Sequence, residues 1–242
     1  MPTRVDRALI ERLGSAAGDL LLGASCHGCG SPWWGVCPRC RADVAGRSPF
    51  VTAPQPTPAG FPLTVTSSPY DDVFRNVISA HKERQALILT RFLAERLALA
   101  GHSLLSAYAA RTEIRAVTLV PVPSATAVVR QRGFDATWAM SKLAVRRLQA
   151  VHPVVAQRML EQRRTIADQA GLTAAERAAN LRQAFGLRRG STAEQVVLVD
   201  DVVTTGASLT EATRVLETAG ITVLGAITVA ATARRTTPLS RA

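Results

Sequence analysis

The stretch Val196-Val-Leu-Val-Asp200-Asp201-Val-Val-Thr204-Thr205-Gly206-Ala207-Ser208 decides the fold. Its four apolar residues predict a buried strand, two carboxylates follow them, and a loop of threonine, glycine and serine then begins a helix. A helix N-terminus offers unpaired N–H groups and a partial positive charge, so this loop is predicted to bind phosphate. An ordinary strand–turn–helix with capping threonine and serine is the alternative, but two adjacent acids leaving an apolar strand favour a functional site.

The polar groups of this stretch indicate what the ligand carries besides phosphate. Thr204, Thr205 and Ser208 add hydroxyl donors, and Gly206 lets a ligand approach the backbone closely. The two carboxylates repel phosphate, so they are expected to bind a group next to it. The paired hydroxyls of a sugar fit, and so does a magnesium ion.

Apolar strands and amphipathic helices alternate from Tyr70 to near the C-terminus. Strands are predicted at 117–120, 154–159, 196–199 and 221–230, and helices at 73–80, 86–100, 135–148, 173–181 and 209–219. This alternation predicts an α/β fold with a mostly parallel sheet covered by helices on both faces. The ligand site of such a fold is expected at the carboxyl ends of the strands.

Composition divides the chain into three predicted parts. Residues 1–48 hold a short amphipathic helix followed by all four cysteines, and residues 49–69 hold six prolines, which predict a stiff extended linker. The α/β domain is predicted at 70–242.

The cysteines form two CxxC pairs separated by seven residues: Cys26, Cys29, Cys37 and Cys40. Two such pairs predict a closed, structural, tetrahedral zinc site, because each tight turn places two thiolates on one ion. A disulfide pair or a redox dithiol is the alternative, which the lack of a secretion signal disfavours. His27 is expected to be a solvated turn residue, and Trp33 and Trp34 are expected to cover the small knuckle.

The charge of the chain points to an anionic partner. Lys+Arg number 29 against 18 Asp+Glu, for a net charge of +11, and the only lysines are Lys82 and Lys142. Abundant arginine indicates a phosphate or nucleic-acid partner, although codon bias explains it equally well. The composition excludes a disordered or low-complexity chain, and no apolar run is long enough to cross a membrane, so a cytoplasmic protein is expected.

The stretch 196–208 resembles the 5-phosphoribosyl-1-pyrophosphate (PRPP) signature of type I phosphoribosyltransferases. Together with the N-terminal cysteines, the chain resembles the ComF/GntX family. Further similar stretches are Leu119-Val-Pro-Val-Pro123, Arg132-Gly-Phe-Asp135 and Arg163-Arg-Thr-Ile-Ala-Asp-Gln169. The resemblance implies a type I phosphoribosyltransferase-like parallel sheet behind a small N-terminal zinc knuckle.

The resemblance also implies roles for individual residues. Asp200 and Asp201 would bind the ribose 2′- and 3′-hydroxyls, and magnesium would accompany PRPP, bound largely through the substrate. The 5′-phosphate would lie in the loop of Thr204, Thr205, Gly206, Ala207 and Ser208. The pyrophosphate loop would consist of Pro121, Val122, Pro123 and Ser124. Candidate phosphate contacts are Arg130, Arg132, Arg163, Arg164 and Lys82.

Two departures from the family pattern bear on the acceptor. Some purine-salvage relatives have an aspartate where this chain has Thr204, so hypoxanthine or guanine salvage is disfavoured. The family commonly has Asn-Gln where Asp135 and Ala136 stand here, so the acceptor is not specified by resemblance.

Three functions follow from the resemblance. The first is a phosphoribosyltransferase that acts on an unidentified nitrogenous acceptor. The second is a DNA-uptake (competence) accessory protein that binds single-stranded DNA or partner proteins through its arginines and zinc knuckle. The third is a PRPP-sensing regulator without turnover. Fold and motif do not choose among them.

Overall fold

A computed structural model describes residues 24–112, 114–163 and 183–232. The helices predicted near the N-terminus and at 173–181 lie outside these ranges. The helices are α1 (Pro38–Ala45), α2 (Asp72–Glu83), α3 (Leu89–Ala109), α4 (Thr126–Arg132), α5 (Ala136–Leu148) and α6 (Ala207–Thr218). The strands are β1 (Phe50–Thr52), β2 (Thr64–Thr66), β3 (Val117–Pro121), β4 (Val154–Ala156), β5 (Leu160–Gln162), β6 (Phe185–Leu187), β7 (Gln195–Val203) and β8 (Thr222–Ala231).

Six of these strands form one sheet in the order β1-β2-β8-β7-β3-β4. All neighbours pair in parallel except β1 with β2, and β5 and β6 form a separate antiparallel pair. The predicted α/β class with a mostly parallel sheet is therefore confirmed.

The central strand β7 is buried from both sides, which explains its run of apolar residues. Val197 and Val199 belong to the core cluster that also contains residues of α3 and α5. Val196 and Leu198 belong to the second cluster, with residues of α6. Because successive side chains of a strand point to opposite faces, the part of a strand that is covered on both faces is apolar at successive positions, as at 196–199.

The segment predicted as a proline-rich linker, residues 49–69, supplies β1 and β2. Phe50 pairs with Thr66 in an antiparallel register, and Thr64 pairs with Ala226 of β8. The segment 49–69 thus adds β2 and β1 to one edge of the main sheet. Proline content alone does not reveal such a strand, because its short apolar stretches lie between the prolines.

The connections out of β3 and β7 run in opposite directions. The chain leaves β3 toward β4 through α4 and α5, and it leaves β7 toward β8 through α6. The point at which the connections diverge therefore lies between the carboxyl ends of β3 and β7, and open α/β sheets bind ligands in the crevice at such a point.

Candidate functional site

The two acids of the signature lie within β7, which continues to Val203. Asp200 pairs with Thr228 of β8, and the Asp201 backbone N–H donates to Asp200 Oδ1 at 2.9 Å. Asp201 is 6% exposed. We call Asp200 and Asp201 the acid pair; it lies at the carboxyl edge of the sheet, as the sequence predicted.

Lys82 reaches this pair from the last turn of α2. Its Nζ lies 2.7 Å from Asp201 Oδ2, and its side chain is 26% exposed. Burial opposes the charge of Lys82, but Asp201 and Asp200 outweigh burial and raise its pKa. The candidate phosphate contact Lys82 is thus an ion-pair partner of the acid pair.

The two carboxyl groups of the acid pair respond differently to burial. Burial raises the pKa of Asp200 well above its ordinary value, and the neighbouring charge of Asp201 raises it further. Burial also opposes ionisation of Asp201, but the Lys82 ammonium outweighs this and lowers the pKa of Asp201. Asp201 is therefore the more readily ionised member of the pair.

The predicted phosphate loop connects β7 to α6. Gly206 adopts φ +74° immediately before the first residue of α6, Ala207. A Cβ atom at Gly206 would lie 2.6 Å from Phe61 Cε2 and 3.0 Å from Pro54 Cγ. The loop thus turns into a helix N-terminus against a wall formed by the proline-rich segment, a contact that no sequence pattern indicated.

The predicted pyrophosphate loop begins beside the acid pair. Pro121 is the last residue of β3 and pairs with Val199, whose carbonyl accepts the Val122 N–H at 2.9 Å. The loop borders a cavity of about 410 Å³. The residues that line the cavity include Pro121, Val122, Pro123, Ser124, Asp135, Arg158, Glu161, Gln162 and Arg188. The first four of these form the predicted pyrophosphate loop.

The predicted arginines lie in different places. Arg130 and Arg132 are in the last turn of α4. Arg132 is close enough to Lys82 for its positive charge to disfavour the charged form of the lysine. Arg163 follows β5, and its side chain lies across Gly186 of β6. Arg164 lies outside the described residues.

Sequence reasoning missed Arg158. Its guanidinium lies 4.6 Å from the ring centroid of Trp138 and donates from Nη2 to Asp135 Oδ2 at 3.2 Å. Asp135 Oδ1 in turn accepts the Trp138 N–H at 3.0 Å, so Asp135 caps α5. Because this contact joins residues that are far apart in the chain, no local sequence pattern indicates it.

His81 is buried beside Lys82. Its Nε2 lies 2.9 Å from Thr90 Oγ1, and its ring meets the edge of Phe134 at a centroid distance of 5.3 Å. Burial lowers the pKa of His81 to about 4, and the charge of Lys82 acts in the same direction while that of Asp201 opposes it. His81 is therefore neutral at physiological pH.

The four cysteines come together as the spacing predicted. Their sulfur atoms all lie within 4.8 Å of one another, close enough to bind one metal ion. The Cys26–Cys40 and Cys29–Cys37 sulfur separations are 3.9 and 3.7 Å. Zinc with Zn–S bonds of about 2.3 Å in a tetrahedron places its sulfurs about 3.8 Å apart, so the thiols fit this ion.

Backbone N–H groups orient the cluster. The N–H groups of Gly28 and Cys37 donate to Cys26 Sγ at 3.3 and 3.2 Å, and that of Cys40 donates to Cys37 Sγ at 3.4 Å. A Cβ at Gly28 would lie 3.1 Å from Cys40 Sγ, so glycine permits the close turn.

The residues around the cluster attach it to the rest of the fold. The Asn76 side chain of α2 donates to the Gly28 carbonyl at 3.1 Å. Trp33 packs against the core cluster that contains Cys26 and Cys40, whereas Trp34 leaves 52% of its surface exposed. His27 is half-buried, and burial lowers its pKa. The cluster is therefore fastened to the helix that carries Lys82.

Residues 142–241 match the family model of the phosphoribosyl transferase domain. No curated protein matches the chain. No helix in the described ranges is both long and apolar enough to cross a membrane. The match covers β7, the acid pair, the predicted phosphate loop and β8, so this part of the chain is similar to phosphoribosyl transferase domains. The predicted fold class is confirmed, with its N-terminal cysteine cluster.

Proposed function

We propose that the crevice between β3 and β7 binds PRPP with magnesium and transfers its phosphoribosyl group to a nitrogenous acceptor. One observation carries the proposal. The acid pair, the N-terminus of α6 and the loop at Pro121–Ser124 meet at one edge of the sheet, joined by the bond from Val122 N–H to the Val199 carbonyl. The family-model match over 142–241 supports it.

Each of these three groups is assigned to a different part of PRPP. Asp200 and Asp201 accept hydrogen bonds from the ribose 2′- and 3′-hydroxyls, which carboxylates do well where phosphate would be repelled. Residues Thr204–Ser208 surround the 5′-phosphate at the positive end of α6. The loop Pro121–Ser124 holds the pyrophosphate next to the cavity of about 410 Å³, which has room for an acceptor.

The chemistry is displacement at the anomeric carbon. The bond from C1′ to the pyrophosphate oxygen breaks and its electron pair leaves with pyrophosphate, while a nitrogen lone pair of the acceptor forms the new bond to C1′. An acceptor N–H proton passes to solvent. Magnesium bound with PRPP would neutralise charge on the pyrophosphate. In this proposal the chain fixes the ring between the acid pair and the phosphate loop, and Arg132, whose charge lies near Lys82, is the residue that we assign to the developing charge.

Calorimetric titration with PRPP and magnesium tests the proposal. Wild-type protein is expected to bind, and the Asp200→Asn/Asp201→Asn variant is expected to lose binding. Asp72→Asn, which removes an exposed carboxylate of α2, is the control and should bind as wild type does. Absence of binding to wild type, or equal binding to the double variant, would refute the proposal.

We also propose that Cys26, Cys29, Cys37 and Cys40 hold one zinc ion. Four thiolate ligands leave no open coordination position, so the site is structural. The Asn76 side chain of α2 donates to the Gly28 carbonyl within the cluster, so a bound ion would also help to hold the helix that carries Lys82. The same pairing of a cysteine cluster with the signature supports the ComF/GntX resemblance.

Elemental analysis of the purified chain tests the zinc site. One zinc per chain is expected in wild type and in Ser31→Ala, a control beside the cluster, and much less in Cys26→Ser/Cys40→Ser. A ratio near zero in wild type would refute it. Because the ion supports α2, its removal is also expected to weaken PRPP binding.

A further inference from the structure

One oxygen of each carboxylate in the acid pair already has a partner within the chain. Asp201 Oδ2 lies 2.7 Å from Lys82 Nζ, and Asp200 Oδ1 accepts the Asp201 N–H at 2.9 Å. Two adjacent carboxylates, of which Asp201 is buried and Asp200 half-buried, disfavour carrying two uncompensated charges, so a nearby cation stabilises them. Among the described residues, Lys82 is the basic residue that forms an ion pair with Asp201.

We propose that the Lys82 ammonium is the resident cation of the acid pair and occupies the place where a divalent metal ion would otherwise bind these two carboxylates. The inference deepens the proposed function, on which it rests for the identity of the ligand. It states that the ribose meets an acid pair held by Lys82, and that any magnesium arrives with the substrate and is not bound by the acid pair.

The environment favours an ammonium over a hydrated metal ion. Magnesium requires near-octahedral oxygen ligands at about 2.0–2.1 Å and usually keeps several waters. Asp201 is only 6% exposed, which leaves little room for a hydration shell on the oxygen that Lys82 contacts. An ammonium is compact and needs no octahedron, and it leaves the pair with one net negative charge to accept hydrogen bonds from hydroxyls.

The position of Lys82 is held by its neighbours in the fold. The preceding residue, His81, is fixed between Thr90 and Phe134. The N-terminus of α2 is capped by Asp71, which pairs with Arg47. The Lys82 side chain thus reaches the acid pair from a helix anchored at both ends, and the ammonium is pre-organised at Asp201.

The composition of the chain supports the same inference. Of 29 Lys and Arg residues, only Lys82 and Lys142 are lysine. One of these two lysines stands at the acid pair, where the broad, planar guanidinium of an arginine would not replace a compact ammonium.

Binding of Mn²⁺, followed by electron paramagnetic resonance, tests the inference on zinc-loaded full-length protein without PRPP. Lys82→Ala removes the ammonium and vacates its place beside Asp201, and Lys142→Ala is the matched control at the exposed lysine. We expect Lys82→Ala to bind Mn²⁺ at least about tenfold more tightly than wild type, and the gain to disappear in Lys82→Ala/Asp201→Asn. Lys142→Ala should behave as wild type.

Two results would overturn the inference. One is wild-type protein that binds Mn²⁺ and loses it with Asp201→Asn, and the other is folded Lys82→Ala that gains no Mn²⁺ affinity. If Lys82→Ala does not fold, wild type is compared with Asp201→Asn. Mn²⁺ binding that depends on Asp201 then overturns the inference, and its absence supports it. Because no PRPP is present, the outcome is independent of the PRPP titration that tests the proposed function.

Discussion

Gly206 stands where the phosphate loop becomes α6, and replacing it by alanine is expected to be costly for two separable reasons. Its φ of +74° lies in the left-handed region, where an alanine costs about 1–2 kcal/mol. The new Cβ would lie 2.6 Å from Phe61 Cε2 and 3.0 Å from Pro54 Cγ, an overpacking that costs about 1–3 kcal/mol. Gly206→Ala should therefore lower the free energy of unfolding by about 2–5 kcal/mol.

The other end of the same helix provides the control. Gly220 has φ +76°, but a Cβ there would meet no heavy atom within 4 Å. Gly220→Ala should cost only the backbone component, about 1–2 kcal/mol. Urea unfolding of zinc-loaded protein measures both variants, and Phe61→Ala combined with Gly206→Ala should recover part of the extra loss. Equal destabilisation by Gly206→Ala and Gly220→Ala would refute the claim that the proline-rich segment packs against the loop.

Three further predictions concern the surroundings of the site. Asp135→Ala removes the cap of α5 and the partner of Arg158, so urea unfolding should show a free energy of unfolding lower by about 1 kcal/mol. Asp135→Asn can still cap the helix and should lose less. Equal losses in the two variants would contradict the capping role. The pKa of His81 is about 4 in the folded protein, against 6.5 for an ordinary histidine. The stability that neutral His81 contributes is therefore fully present above pH 6.5. It is lost as the pH falls toward 4, by up to about 3 kcal/mol in the free energy of unfolding. Unfolding free energies between pH 7 and about 4 should therefore fall less in His81→Gln than in wild type, and parallel curves would contradict this. If the arginine-rich surface binds single-stranded DNA, fluorescence anisotropy should show affinity that falls steeply with salt, and no binding at low salt would end that hypothesis.

Strands and helices with strong periodicity were predictable from the sequence. The buried strands at β3 and β7 and the helices α2 and α5 appear where apolar spacing placed them. Residue patterns did not indicate α4, whose residues are not buried, or the three-residue strands β5 and β6, which are too short for periodicity to show. Helix α1 was not predicted either, although Cys37 followed by Pro38 is a recognisable helix beginning.

The sequence by itself determined which residue types stand together in the two proposed sites. Adjacent residues decide the acid pair and the phosphate loop, and the CxxC spacing decides the four-cysteine cluster, because each arrangement depends on local geometry. Only the tertiary structure decided that Lys82 meets Asp201, that Phe61 lies against Gly206 and that Arg158 pairs with Asp135. These contacts join distant segments, and their partners are chosen by strand order and helix packing, which residue spacing along the chain does not encode.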